Sequence, residues 1–487
     1  MKHPAIIFVF LFLLLKIYVP DLYSQSTYTK YISTVSDEYP EKIKSLHDGS
    51  ILLISHRGDI SENFYESFFN YTNILYKMNF ELNVADSLQI DTIGNYRILI
   101  KDIINSDDNG MLVWATALNI ETYDIQLCLI WFDNGLNIVN QSIYGLADMD
   151  EVISDYVINQ YDQLVFVGST DIENYNGDYI LWEFDLDGTE INKQIYNNSV
   201  PSPPTIVDIA GSEKYHINSW FDVLQFDYDF NFEIAYSFSD TLNVIPNEYC
   251  KSIDDFQYLR TGTYLKPPIP GSPWEMDMAF VLLDENASIL DVNFFGEEYV
   301  LDNAGKLDFI TTDTIYFAGT KNLTNNPPED SWISLYVTNL TGEIIDSQQF
   351  GEAGQNAFYD IFALPNGGYV IAGTVWDFYN YPDSAYQRDI LIVTKNYGSP
   401  FVNIDENINP NVGNINIYPN PGSNQIKISS SLKNLQIQLY DYTGGQIIER
   451  NIEYSSSVNT SDIPPGIYFY KILQDNRIVK IGKWVRK

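Results

Sequence analysis

Cysteine is nearly absent. Two thiols in 487 residues, Cys128 and Cys250, exclude a disulfide scaffold and any multi-cysteine zinc centre. Positive charge is scarce as well: 27 Lys and Arg stand against 65 Asp and Glu, for a net charge of −38. A chain so anionic has no means of releasing counterions from a phosphate backbone, which excludes a general nucleic-acid binder. Histidine occurs only four times, and no pair has metal-binding spacing. Neither HExxH, GxSxG nor a phosphate-binding GxxxxGK pattern occurs. After Leu15 no apolar run reaches the ~20 residues that cross a bilayer as a helix.

Aromatic residues, by contrast, are abundant: 8 Trp, 37 Tyr and 27 Phe, or 15% of the chain, within a hydrophobic share of 45%. That composition folds, and the length allows two or three domains. Met1-Lys2-His3 precedes an uncharged apolar run, Ala5–Leu15, too short to span a membrane, with small residues at Ser24-Gln25-Ser26. Residues 1–25 therefore read as a signal peptide, and the mature chain as an exported one without a transmembrane segment.

From about Ser26 to Pro400 one pattern recurs. A tight turn leads into a β-branched run that ends in a small residue and Thr, followed by a variable loop, a second apolar run and an Asp/Asn/Gly turn. Tyr369–Thr374 (YVIAGT) with Arg388–Gly398, and Thr312–Thr320 with Asp330–Gly342, are its clearest copies. Seven copies give a period of about 54 residues, which suits a four-stranded propeller blade with long loops. Short β-branched runs bounded by Asn, Asp and Gly exclude helical repeats. The expected architecture is an all-β, seven-bladed β-propeller over residues 26–400, with six or eight blades as the alternatives. The last copy lacks a fourth strand, and Thr27–Thr34 resembles one, so the N-terminal strand is expected to close the ring.

In an antiparallel meander, successive turns alternate between the two ends of the sheet. The loops between second and third strands therefore share one face, and those of the fifth, sixth, seventh and first copies are long. They form a contiguous arc rich in aromatics. Phe64, Tyr65, Trp274, Trp376, Tyr379 and Tyr381 are its candidate ligand-binding residues, as platforms for sugar rings or anchors for a protein. The competing reading is that these rings pack on one another as loop cores. No catalytic residue can be chosen among so many acids, since a glycosidase needs two carboxylates about 5–10 Å apart. A non-enzymatic glycan- or protein-binding module is the first expectation. A carbohydrate-active enzyme on the same face and a structural cell-surface protein are the alternatives. No cofactor or metal site is expected. Acidic turns such as Asp185-Leu186-Asp187-Gly188 leave structural calcium open, but Asp and Asn before Gly are what hairpin turns require.

Composition changes after a polar linker at residues 401–411. Residues 412–487 carry 9 basic and 5 acidic side chains, against 16 and 59 in residues 26–411. The segment reads as short alternating strands in a small Ig-like β-sandwich. Tyr418-Pro419-Asn420-Pro421, then Asp441 and Gly444, then Gly466 and Tyr468, then a basic ending that includes Lys483, follow one another in order. This series resembles the C-terminal sorting domain of the type IX secretion system of Bacteroidota, in its type A form. The resemblance implies a partner, the secretion machinery. It also implies passage through the periplasm, and release or attachment at the outer-membrane surface.

Overall fold

In a computed structural model of the protein, the described residues run from Thr27 to Lys395 and from Asn416 to Arg486. Internal stretches at 34–35, 59–67, 80, 108–109, 147–148, 171–176, 198–202, 220–221, 238–243, 266–274, 299, 323–328, 365–366 and 381–387 lie outside them, as do 419–424, 431–432, 441–445, 453–454, 462, 465 and 475–476. The signal peptide and the linker, residues 1–25 and 401–411, also fall outside the described residues. The chain divides into two compact units, Met1–Tyr397 and Gly398–Lys487.

Among the described residues the first unit consists of seven antiparallel sheets. The first holds Glu38–Ser45, Ile51–Arg57, Thr72–Met78 and Val84–Ile90, and the second Tyr96–Asp107, Gly110–Asn119, Ile125–Asp133 and Ile138–Tyr144 with a short Thr92–Ile93 strand added. The third to sixth begin at Val152, Thr205, Val244 and Asp302, and each is a four-stranded meander. The seventh combines Gln355–Leu364, Gly368–Trp376 and Arg388–Lys395 with Thr27–Ile32 from the other end of the unit. Thr27 pairs with Lys395 and Ile32 with Ile390, so the N-terminal strand closes the last sheet as the sequence suggested. Each sheet packs on the next, and the first strands of the seventh and first sheets meet. This is the architecture of a β-propeller.

Its core lies between the sheets. Ile98, Ile100 and Val113 pack on Leu52, Ile54 and Leu75, while Phe280 and Phe295 pack on Phe317. Large aromatic side chains fill this core: Trp182, Tyr179, Tyr215, Tyr258, Tyr369, Phe166 and Phe226 are fully buried.

The recurring small residue and Thr have separate physical roles. In the first, second, third, sixth and seventh sheets the innermost strand carries a one-residue bulge, at Glu41, Lys101, Ser154, Gly305 and Tyr359. The residue just before each bulge lies opposite Ser55, Ala115, Gly168, Gly319 or Gly373. A Cβ at Gly319 would sit 2.2 Å from the Asn303 carbonyl oxygen, and one at Gly168 would sit 2.2 Å from that of Val152. The motif's Thr latches the next sheet: Thr320 Oγ1 accepts the Phe358 amide at 2.9 Å, and Thr263 Oγ1 that of Ala304 at 3.2 Å. Gly319→Ala should therefore cost about 3 kcal/mol, read as a lower midpoint in denaturant. An unchanged midpoint would mean that the bulge yields freely.

Among the described residues the second unit holds two sheets. Asn416–Tyr418, Gln425–Ser429 and Ser455–Asn459 form one, and Gln446–Ile452, Leu435–Tyr440, Gly466–Gln474 and Arg477–Arg486 the other. They share one core, in which Ile426 and Ile428 join Ile437, Leu439, Ile472 and Trp484.

Candidate functional site

The antiparallel meanders put the loops between second and third strands on the same face as the sheet-to-sheet connections. Two of the six candidate aromatics on that face are described. Trp376 ends the second strand of the seventh sheet and is half-buried. The Arg388 guanidinium lies 5.1 Å above its ring and 5.5 Å above that of Tyr39. Arg388 also donates to the Tyr39 hydroxyl at 2.9 Å, and its amide to Asp37 at 2.8 Å. Trp376 thus belongs to the seam between the seventh and first sheets. Tyr379 is 60% exposed, and its ring centroid lies 4.4 Å from that of Phe378. Its hydroxyl donates to Asp330 Oδ2 at 3.2 Å, while Asp330 Oδ1 accepts the Gly354 amide at 2.7 Å. The loops of the sixth and seventh sheets are therefore joined. Phe64, Tyr65, Trp274 and Tyr381 lie outside the described residues. Of their described neighbours, Phe68 is buried against Leu99, Leu118 and Ile125, and Tyr71 stacks on His56 at 5.7 Å.

A second candidate was missed by the loop argument. Two chambers, of about 680 and 340 Å³, share Lys42, Asp102, Asp155, Tyr156 and Tyr249 as lining residues from the innermost strands. Lys42 Nζ lies 3.2 Å from Asp102 and 3.7 Å from Asp360, and Lys306 Nζ lies 3.1 Å from Asp360. Burial works against the Lys42 charge, yet Asp102 and Asp360 hold its ammonium well above the ordinary value. Lys251 pairs with Asp308. These carboxylates also tie sheets together: Asp155 Oδ2 accepts the Ile206 amide, Asp308 Oδ2 that of Ala363, and Asp360 Oδ2 that of Ile43, at 3.0, 2.6 and 3.0 Å. Burial pushes the Asp155 carboxyl up to about 6, against the pull of the Ile206 and Tyr156 amides. The bulges give a signal for these residues. They place consecutive polar residues, Glu41-Lys42, Lys101-Asp102 and Ser154-Asp155, where alternation calls for one.

Among the described residues no group of three or more His, Cys, Asp or Glu side chains is arranged to hold a metal ion. Turn carboxylates are engaged by their own backbone, as where Asp227 accepts the Asn231 amide and Asp187 that of Thr189. Cys128 and Cys250 are both free thiols.

In the second unit the described motif residues lie in the sheets. Tyr468 is buried, its ring 6.0 Å from that of the fully buried Trp484, and its hydroxyl donates to the Pro464 carbonyl at 2.6 Å. Gly466 opens its strand opposite Arg486, Lys483 pairs with Phe469, and Tyr418 pairs with Lys427. Pro419, Asn420, Pro421, Asp441 and Gly444 lie outside the described residues. The family described as "Secretion system C-terminal sorting domain" matches residues 416–487. Residues 416–487 are a secretion-system sorting domain. That agrees with the order of the motifs, and the sorting domain assigns the chain to export, at the cell surface or beyond it. No curated protein matches the chain.

Among solved structures, the chain is similar to the Pan2 WD40 domain of Neurospora crassa, at 9% identity over 77% of this chain and 92% of that one, with a TM-score of 0.43. The β-propeller domain of the Trilobed protease from Pyrococcus furiosus gives 12% identity, 76% and 99% coverage and 0.42. PorZ of Porphyromonas gingivalis, a surface component of its type IX secretion system, gives 8%, 92% and 81%, and 0.27. The fold assignment rests on the sheet topology. Among the described residues no helix is long and apolar enough to cross a membrane.

Proposed function

We propose that the chain is exported behind a signal peptide at residues 1–25. A type A, type IX sorting domain with an Ig-like sandwich, beginning near residue 412, then carries it outward. Outside the cell the seven-bladed propeller binds a glycan or a surface protein through its loop arc, without catalysis. The observation that carries the binding role is Tyr379, an open aromatic ring packed at a tilt against Phe378 and fixed to Asp330 across two loops. A rigid, exposed ring with a carboxylate beside it suits the apolar face and the hydroxyls of a sugar. Phe64, Tyr65, Trp274 and Tyr381 are the further candidates of this reading, and Trp376 supports it from the seam it shares with Arg388.

A glycan array and a surface-protein panel probed with residues 26–400 test the reading. Tyr379→Ala should weaken a hit about tenfold while leaving the melting temperature unchanged. Undiminished binding by that variant, or no hit for the wild type, would overturn it. A carbohydrate-active enzyme is the second reading, favoured by Asp155, whose raised carboxyl lines a chamber with Asp102. Analysis of any array hit for cleaved product separates the two.

A further inference from the structure

One position recurs at the joints between sheets: the residue two places before the partner of the motif's small residue. It is Glu38 opposite the Ser55 region, Glu151 by Gly168, Asp302 by Gly319 and Asn356 by Gly373. All four are at most 1% exposed. Asn356 shows what the site requires. Its Oδ1 accepts the Glu352 amide at 3.1 Å, and its Nδ2 donates to the carbonyls of Ser331 and Glu352, both at 2.7 Å. Glu38 bonds the Arg57 guanidinium and the Tyr76 hydroxyl, and Glu151 bonds Lys193 at 3.0 Å.

Asp302 keeps half of the Asn356 pattern. Its Oδ2 accepts the Glu297 amide at 3.2 Å, but its Oδ1 is buried with no hydrogen-bond partner. Where asparagine presents a donor, aspartate presents an oxygen. The carbonyls matching those of Ser331 and Glu352 belong to Met276 and Glu297, since the Met276 amide donates to Val300 as the Ser331 amide does to Gly354. A second buried carboxylate is close. A Cβ on Gly296 would lie 2.3 Å from Asp277 Oδ1 and 3.0 Å from Asp302 Oδ2, so those oxygens are within about 5.3 Å of each other. Lys321, opposite Asp302 in register, sends its ammonium to Glu297 at 2.5 Å.

We propose that Asp277 and Asp302 hold a divalent cation of the calcium class at the joint between the fifth and sixth sheets. Such an ion takes carboxylate and carbonyl oxygens together, gives the orphaned Asp302 Oδ1 a partner, and stands where Asn356 uses its amide hydrogens. Without it the burial is unfavourable. The Asp302 carboxyl is pushed up to about 6 by burial, with Asp277 and Glu297 adding to the effect and the Glu297 amide and Lys321 opposing it. The Tyr336 phenol facing the group is pushed up to about 12, by burial first and then by Asp302, Glu297 and Asp277.

The test is the melting temperature of the full chain at neutral pH, first in chelator and then in about 10 mM calcium chloride, near tenfold the weaker extracellular dissociation constants. A rise of about 2 °C is expected for the wild type. Asp302→Asn should lose the rise, and should melt in chelator no lower than the wild type, because its amide restores the Asn356 pattern. Asp277→Asn should lose the rise too, and equilibrium dialysis should find one fewer calcium per chain in either variant. A wild type indifferent to calcium, or variants as responsive as the wild type, would overturn the proposal. Calcium-independent stability that increases from pH 7 to pH 5 in the wild type, but not in Asp302→Asn, would assign a proton to Asp302 in place of the ion.

Discussion

Deleting residues 27–34 should open the ring and lower the melting temperature by at least about 5 °C, with aggregation on heating. The strand Thr27–Ile32 makes six register pairs with Arg388–Lys395, and backbone hydrogen bonds contribute about 1 kcal/mol each net of solvation. Its side chains are mostly exposed, so little core is lost directly. The larger consequence is the edge left behind. Ile390, Leu391, Ile392 and Val393 are fully buried, and without the N-terminal strand they would form an unpaired apolar edge open to another chain. Circular dichroism melts with light scattering would show both effects. An unchanged melt without scattering would mean that the seam between the seventh and first sheets holds without the closing strand.

That closure was legible because it depends on counting strands, and the repeat makes strands countable. The tight Asn/Asp/Gly turns and β-branched runs marked each meander, and the missing fourth strand of the last copy matched the spare strand at the start. What stayed hidden depends on contacts between sheets. Nothing in the string AGT says that Thr320 accepts an amide from the following sheet, or that Gly319 clears a bulged carbonyl. Trp376 read as a platform because its cover is remote in the chain: Arg388 lies twelve residues away, and Tyr39 joins the same guanidinium from the opposite end of the unit. Tyr379 is exposed because it sits beyond the last strand residue, where only its hydroxyl reaches a neighbouring loop. Lys42, Asp102 and Asp360 escaped notice because a charged residue on an innermost strand looks like an ordinary outward position until the bulge turns it toward partners on the neighbouring sheets.

Asp360→Ala should be the most damaging single substitution in the ring, at about 3–5 kcal/mol. The carboxylate, 1% exposed, faces Lys306 and Lys42 and accepts the Ile43 amide, so it joins the sixth, seventh and first sheets at one point. Removing it leaves a buried amide without its acceptor and two ammonium groups with less compensation, which costs more than the pair contributes when intact. The pH dependence gives a sharper check. Burial works against the Asp360 charge, but Lys306 and Lys42, with the Ile43 amide, hold its carboxyl below the ordinary range. A carboxyl depressed in the folded state stabilises fully above its unfolded value of about 3.9, and that contribution fades as the pH falls through the folded value. Wild type and Asp360→Ala should therefore differ most near neutrality and converge in strong acid. A gap that stays constant down to about pH 2 would show that the loss comes from packing, with the lysines able to find other partners in the chamber wall.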